Sequence, residues 1–496
     1  MRWALAFAAM ALCAVLAGCA VGPSYVRPAP PPGADAPAFK ESRMWVPAHP
    51  GVAAADGAWW RAYGDPQLDA LVAQANQANQ TLAQAQAQYR QAQALLQSAR
   101  AAYFTTVGLS ALGGRSRSIT DGVVSLGNAH AWSLQAAWEL DLWGAVRRGV
   151  EAAGDNAQVS AANLAAARLT VQASVVNNYL QLRLLDQQKE VYARTLEGYR
   201  KSLALTAARH RVGVATGSDV ALARNTLATA QAQAVAVDLT RRQLEHALAV
   251  LVGQAPAAFT LAAQPPEMPL TALLPPTPAG LPAQLLQRRP DIAAAERQVA
   301  AANAQIGVAR AAWFPNLTLS ASGGYQGPNF GPWFLAPGRV WALGAALAGT
   351  LFDGGARSAQ VQQARASFDA AAAHYRQTVL NGFQEVEDNL AALGDLARQR
   401  AAQEEAARAA HQSAEVFLAQ YRAGTTPYLS VITAQAQALA ADQAVLQLQA
   451  SQFAASVALI KAIGGGWDAS QLASVAHASP LDGDAAASAT GGSSGK

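Results

Sequence analysis

Trp132-Ser133-Leu134-Gln135-Ala136-Ala137-Trp138-Glu139-Leu140-Asp141-Leu142 is the stretch that decides the fold. Trp132, Leu134, Ala136, Trp138, Leu140 and Leu142 alternate with Ser133, Gln135, Ala137, Glu139 and Asp141. Successive strand side chains point to opposite faces, so a period of two predicts a strand with one apolar and one polar face. A second stretch, 340–351, is nearly all apolar and read alone is equally consistent with a buried helix. It is a copy of the first: Trp132, Leu134 and Leu142 return as Trp341, Leu343 and Leu351. The copy is therefore also a strand, with Trp341, Leu343, Ala345 and Leu347 on its apolar face.

Each of these strands has a partner upstream. Val107, Leu109 and Ala111 form the apolar face of one; Leu317, Leu319 and Ala321 form that of the other, opposite Thr318, Ser320 and Ser322. The expected strands are 105–112, 131–142, 316–323 and 340–351, with Gly- and Ser-rich loops at 113–129 and 324–338. Segments of about 10 alternating residues have the length of a tilted membrane-crossing strand. A soluble sheet buried on one face gives the same alternation. The junctions favour the membrane reading, because they carry Tyr103, Phe104, Trp143, Trp313, Phe314 and Phe352, an aromatic girdle at one end of all four strands. Four strands cannot close a water-filled barrel, and lipid tolerates no open sheet edge. The chain must assemble with copies of itself, and three copies supply twelve strands, within the bacterial range.

The whole mature chain is duplicated. Ala99-Arg100-Ala101-Ala102-Tyr103-Phe104 returns as Ala309-Arg310-Ala311-Ala312-Trp313-Phe314, an offset of 210. Arg211, Gly213, Val220, Ala223 and Gly253 return as Arg422, Gly424, Val431, Ala434 and Gly464. The repeats are 66–254 and 283–466, joined by a Pro-rich linker at 255–282. Each reads as a short helix (66–103; 283–312), a hairpin, a long helix (145–211; 356–422) and a short helix (219–252; 428–463). The long helices lack proline and would span about 100 Å. Their apolar residues step by seven, four or three, as in Val171, Val175, Leu182 and in Val379, Val386, Leu393, which is coiled-coil spacing.

The chain has 496 residues, of which 52% are hydrophobic and 14% charged, with a net charge of +4, too mild to imply nucleic acid. Residues 1–18 read as a secretory signal: Arg2 is followed by an apolar run too short to span a membrane. The run ends in Leu16-Ala17-Gly18-Cys19, which resembles a bacterial lipobox and makes Cys19 the lipid attachment site. Ala20 after it favours outer membrane sorting by the same resemblance. Residues 19–65 form an extended, lipid-anchored N-terminal segment, and 467–496, rich in Ala, Ser and Gly, a disordered tail. His210, His246, His374 and His411 fall on separate helices without metal-ligand spacing, and Met44 and Met268 are the only methionines past the signal. No nucleophile–base pair or phosphate loop stands out, so no enzyme, cofactor or metal centre is expected.

Taken in order, the motifs closely resemble the TolC-like outer membrane factors of tripartite efflux systems, in their lipoprotein (NodT/OprM-type) branch. The resemblance is carried by Cys19-Ala20-Val21-Gly22-Pro23, Trp59-Trp60, Asp65-Pro66-Gln67-Leu68, Trp138-Glu139-Leu140-Asp141-Leu142-Trp143-Gly144, Arg289-Pro290-Asp291-Ile292, Phe314-Pro315, Phe352-Asp353-Gly354-Gly355 and Tyr421-Arg422-Ala423-Gly424. It implies a homotrimer with a 12-stranded transmembrane β-barrel continued by a long α-helical periplasmic tunnel. Such a duct passively exports drugs or other small molecules. An inner membrane pump delivers them through a periplasmic adaptor.

The resemblance also assigns sites. The turns between long and short helices, with Val212, Gly213, Gly217 and Asp219 in one half and Ala423, Gly424 and Pro427 in the other, would be adaptor-docking tips. Leu418, Tyr421 and Arg422 would form the periplasmic gate. In physical terms Gly213 and Gly424 suit the left-handed residue that ends a helix, and Ser218 or Asp219 can cap the next. Two other readings remain open. A periplasmic coiled-coil structural or adaptor lipoprotein explains the helices and anchor but not the hairpins. The exit duct of a type I protein secretion system shares the whole pattern.

Overall fold

A computed structural model describes residues 21–41, 57–263, 282–329 and 338–472. The proposed signal, Cys19, Met44, Met268, most of the Pro-rich linker and the tail beyond 472 lie outside the described residues. The elements run α1 (Pro66–Ala78), α2 (Gln80–Ala101), β1 (Thr106–Thr120), β2 (Val123–Leu140), α3 (Ala145–Arg211), α4 (Gly217–Leu251), α5 (Pro282–Arg288), α6 (Pro290–Ala311), β3 (Asn316–Gly327), β4 (Arg339–Ala348), α7 (Ala356–Ala423) and α8 (Tyr428–Ala462).

The two long helices, α3 and α7, are started alike. Asp141 accepts from the amides of Val146 (2.9 Å) and Arg147 (2.8 Å), and Asp353 from those of Gly355 (2.9 Å) and Arg357 (3.1 Å). These carboxylates satisfy orphan amides of the first turn and sit at the positive end of the helix dipole. The Arg357 side chain and these amides hold Asp353 down at about 2.

The expected short helices 66–103 and 283–312 are each broken. Asn79 separates α1 from α2: its Oδ1 accepts from Leu82 N (3.1 Å) and its Nδ2 donates to Leu251 O (2.8 Å) at the end of α4. In the second half Arg289-Pro290 makes the break, and Arg289 donates to Ala462 O (3.0 Å) at the end of α8. The cause is the same in both halves: the C-terminus of the distal short helix abuts the break. Gly253 (φ +74°) and Gly464 (φ +96°) permit that approach, because a Cβ there would strike the carbonyls of Ala78 and Arg288.

Around the strand end of the long helices the packing order is α2–α3–α6–α7; toward the far end it is α4–α3–α8–α7. The helical layer thus has one edge formed by α2 and α4 and another by α7. The apolar seam fills the middle, where Val171, Val175, Leu182 and Tyr179 pack with Phe453 and Val457, and Val379, Val386 and Tyr375 with Ile292 and Val299.

Midway along α3 the core is charged. Asp186, whose side chain is 2% exposed, accepts from Arg183 Nη1 (2.9 Å) and Arg241 Nε (2.6 Å). Arg183 also donates to Ala262 O (3.0 Å) and to Gln67 Oε1, and Arg241 donates to Leu261 O (2.8 Å) and to Glu245 (3.2 Å). Glu245 accepts from Leu261 N (2.6 Å). Two guanidiniums therefore tie the start of α1, α3, α4 and residues 261–262 together.

Residues 21–41 run as a strap from the strand end to mid-helix. Val21 N donates to Trp143 O (2.9 Å), Asn303 Nδ2 to Pro23 O (3.1 Å), and the Lys40 and Glu41 amides to Glu387. Halfway, Tyr25 donates to Glu296, and Arg297 bridges Glu296 (2.6 Å) and Asp155 (3.4 Å). Burial raises Asp155 to about 6, against the pull of Arg297. A raised carboxylate pKa favours the folded state only while protonated. That contribution is complete below the ordinary value near 3.8 and is lost as pH rises through 6. Asp155→Asn is therefore expected to gain thermal stability relative to wild type as pH rises from about 4 to about 7, checked by melting curves across that range.

Candidate functional site: a one-sided strand face and two helical tips

The four strands form one antiparallel sheet in the order β1-β2-β3-β4. Pairing is one-to-one throughout, from Thr106↔Ala137 to Thr120↔Val123, from His130↔Gly327 to Leu140↔Leu317, and from Asn316↔Ala348 to Tyr325↔Arg339. With no bulge, alternation gathers most of the large apolar positions on one face, with Leu112, Val123 and Val340 on the other. The pairs Leu109↔Leu134, Trp138↔Leu319 and Leu317↔Leu347 lie on the apolar face, while Ser110↔Ser133, Gln135↔Ser322 and Ala137↔Ser320 line the other face. Among the described residues no strand lies beside the outer edges of β1 and β4.

The first hairpin is much longer than the sequence suggested. β1 and β2 continue through 113–120 and 123–129, where a loop was expected, and meet at Asp121-Gly122 with φ +51° and +81°. Positive φ at both central residues is the two-residue hairpin turn that Asp-Gly favours. β3 likewise reaches Gly327, whereas β4 stops at Ala348, short of the expected 351. No helix among the described residues is long and apolar enough to cross a membrane.

All four strand-to-helix junctions carry aromatics, and most are exposed: Phe104 is 72%, Trp313 51% and Phe352 88% accessible, with Tyr103 and Phe314 at 38%. Trp143 is half-buried, stacked on Phe314 at 4.6 Å and donating to Pro315 O at 2.8 Å. Arg357 sits 5.0 Å over Trp313.

At the opposite end of the molecule the two tips pack on each other. Gly213 (φ +75°) and Gly424 (φ +81°) end α3 and α7. Thr216, rather than Ser218 or Asp219, caps α4: its Oγ1 accepts from Asp219 N (3.2 Å), and Asp219 accepts in return from Thr216 N (3.0 Å). Val212 stays 73% exposed. Tyr421 is buried, with Tyr428 at 5.2 Å and the Arg209 guanidinium 4.6 Å from its ring centroid. Arg209 Nη1 also donates to Tyr421 O (2.5 Å). Leu418 packs half-buried against this cluster, and only Arg422 of the three expected gate residues is exposed. Sequence reading missed Arg209, which together with Tyr428 seats Tyr421.

The model of the outer membrane efflux protein family matches residues 71–254 and 281–465, one match for each half of the duplication. The chain belongs to the outer membrane efflux protein family. Pyoverdine export outer membrane protein OpmQ of Pseudomonas aeruginosa is 33% identical over 419 residues, covering 82% of this chain and 87% of that one. Toluene efflux pump outer membrane protein TtgC of Pseudomonas putida is 32% identical over 472 residues, 93% of this chain and 96% of its own. Among solved structures the outer-membrane channel OprN superposes with a TM-score of 0.83 at 30% identity, covering 90% of this chain and all of that one. As an outer membrane efflux protein the chain resides in the bacterial outer membrane, extends into the periplasm and serves as the exit duct of tripartite efflux.

Proposed function

We propose that three copies of this outer membrane efflux protein close into one conduit, a 12-stranded barrel above a helical tunnel, anchored by lipid on Cys19. The observation that carries this reading is the pair of matched free edges. The sheet ends in β1 and β4, and the helical layer ends in α2 with α4 and in α7. β1 follows α2 and β4 precedes α7, so one rotation pairs β4 with the next copy's β1 and α7 with its α2 and α4. Closure satisfies both edges, turns the Ser- and Gln-bearing face into a wet lumen and leaves the apolar face to lipid. Tyr103, Phe104, Trp143, Trp313, Phe314 and Phe352 then mark the periplasmic interface of the membrane.

The cargo consists of small molecules, drugs or solvents among them, handed over by an inner membrane pump through a periplasmic adaptor and moved passively, without a catalytic centre. The adaptor docks at the tips, on exposed Val212 beside Gly213, Gly217 and Asp219, and at Ala423, Gly424 and Pro427. Arg422, carried on the Leu418–Tyr421 cluster, faces the entrance. Gly424→Glu puts a charged side chain on a left-handed residue within reach of Arg209. It is expected to lower export severalfold in a host lacking its own duct while leaving oligomers intact. Drug accumulation in complemented cells, with oligomeric state read in parallel, checks both; full export by this variant contradicts docking at the tips.

A further inference from the structure

The strands carry a second girdle and a basic collar that the junction aromatics do not include. Counting eleven residues up each strand from Phe104, Trp143, Phe314 and Phe352 leads to Arg115, Trp132, Tyr325 and Trp341. At about 3.3 Å per residue and a tilt near 40°, that is roughly 28 Å of height, close to the ≈ 25 Å apolar band of a membrane barrel. Trp132, Tyr325 and Trp341 all lie on the apolar face, with Trp132 and Tyr325 in ring contact at 5.4 Å. They are the aromatic girdle of the far interface. β1 breaks the pattern with Arg115, which is exposed on the same face.

One side-chain step further from the periplasm on that face stand Arg117, His130 and Arg339. Arg115, Arg117 and Arg339 are exposed and make no ion pair among the described residues. The only carboxylate on the four strands is Glu139, at the periplasmic end and on the polar face. Arginine in a lipid-facing row is expensive at mid-membrane but is favoured where phosphates sit, since its planar fork binds phosphate oxygens two at a time. Closure of the ring would bring Arg339 on β4 beside the next copy's β1, which carries Arg115 and Arg117.

We propose that Arg115, Arg117 and Arg339 form an outward-facing collar that binds the phosphate-bearing lipid headgroups of the outer leaflet. The proposal rests on the barrel reading above. Girdle and collar act together: the rings fix the depth of the barrel, and the guanidiniums hold the phosphates just beyond them.

The test uses the full chain in detergent and native mass spectrometry, with diphosphoryl lipid A and the same lipid stripped of phosphate as probes. The oligomer is expected to retain the phosphorylated lipid in preference to the stripped one. Arg115→Gln/Arg117→Gln/Arg339→Gln is expected to weaken retention at least about tenfold, and the matching triple Lys variant to keep an intermediate affinity. Equal retention of both lipids, or an unchanged Gln variant, overturns the collar. So does displacement of the lipid by inorganic phosphate at equal concentration, which marks a plain anion site. Heat-modifiable mobility separates the two readings: a wild-type chain without it removes barrel and collar together, whereas a folded oligomer indifferent to the three arginines removes the collar alone.

Discussion

Asp186→Ala is expected to destabilise the folded chain by about 3–5 kcal/mol, because it leaves two guanidiniums buried without their shared counter-charge. Among the described residues Asp186 is the only carboxylate that touches both Arg183 and Arg241, and its side chain is nearly inaccessible. The loss should not stay local. Arg183 and Arg241 hold the backbone carbonyls of Ala262 and Leu261, so residues 255–263 should become protease-sensitive first. Asp186→Asn keeps the shape but replaces one of the two accepting oxygens with an amide donor that faces a guanidinium, so it should recover only part of the loss. Replacing the triad together, with Arg183→Met, Asp186→Leu and Arg241→Met, should recover most of the stability, since apolar residues of similar size need no partner. Chemical unfolding of the detergent-solubilised protein reads the series. An Asp186→Ala variant as stable as wild type contradicts the view that this cluster fastens the middle of the chain.

An equally large effect is expected at the centre of the strand face. Five residues up from the junction aromatics each strand places an apolar residue outward: Leu109, Trp138, Leu319 and Leu347. Leu109 and Leu347 are 71% and 67% exposed in the single chain, which a protein surrounded by water would not tolerate in a continuous patch. Leu109→Arg or Leu347→Arg is expected to cost about 2–4 kcal/mol, the penalty for arginine at the bilayer midplane. Ser320→Arg, one residue along β3 from Leu319, points to the lumen and should fold at wild-type level while narrowing the conduit. Assembly yield and resistance to denaturant, with and without lipid, distinguish the two faces. Equal damage from Leu347→Arg and Ser320→Arg contradicts the assignment of a lipid side and a water side.

The long helices were legible because heptad steps over sixty residues leave few alternatives, and the duplication turned an ambiguous apolar run, 340–351, into a strand. The length of the first hairpin was not, because Gly113, Gly114, Ser116 and Ser118 read as loop composition. Strand pairing satisfies the backbone whatever the side chains are, so a glycine-rich segment can still be strand. The signal that was there is Asp121-Gly122. The helix breaks at Asn79 and Arg289 were illegible for another reason: they answer to the ends of α4 and α8, more than 150 residues away. The resemblance places Tyr421 at the gate, and nothing near it in the sequence says that it is buried in the single chain. What buries it is Arg209 on the other long helix, 212 residues earlier. Side chains set by partners of that separation leave no local trace in the sequence.

The central claim is that three copies close one sheet and one helical layer. Native mass spectrometry of the detergent-extracted, lipid-modified chain tests it directly. The account predicts a single dominant species at three times the mature mass, losing its heat-modifiable mobility together with its trimeric mass under progressive denaturation. A stable monomer or dimer with an intact sheet would contradict it.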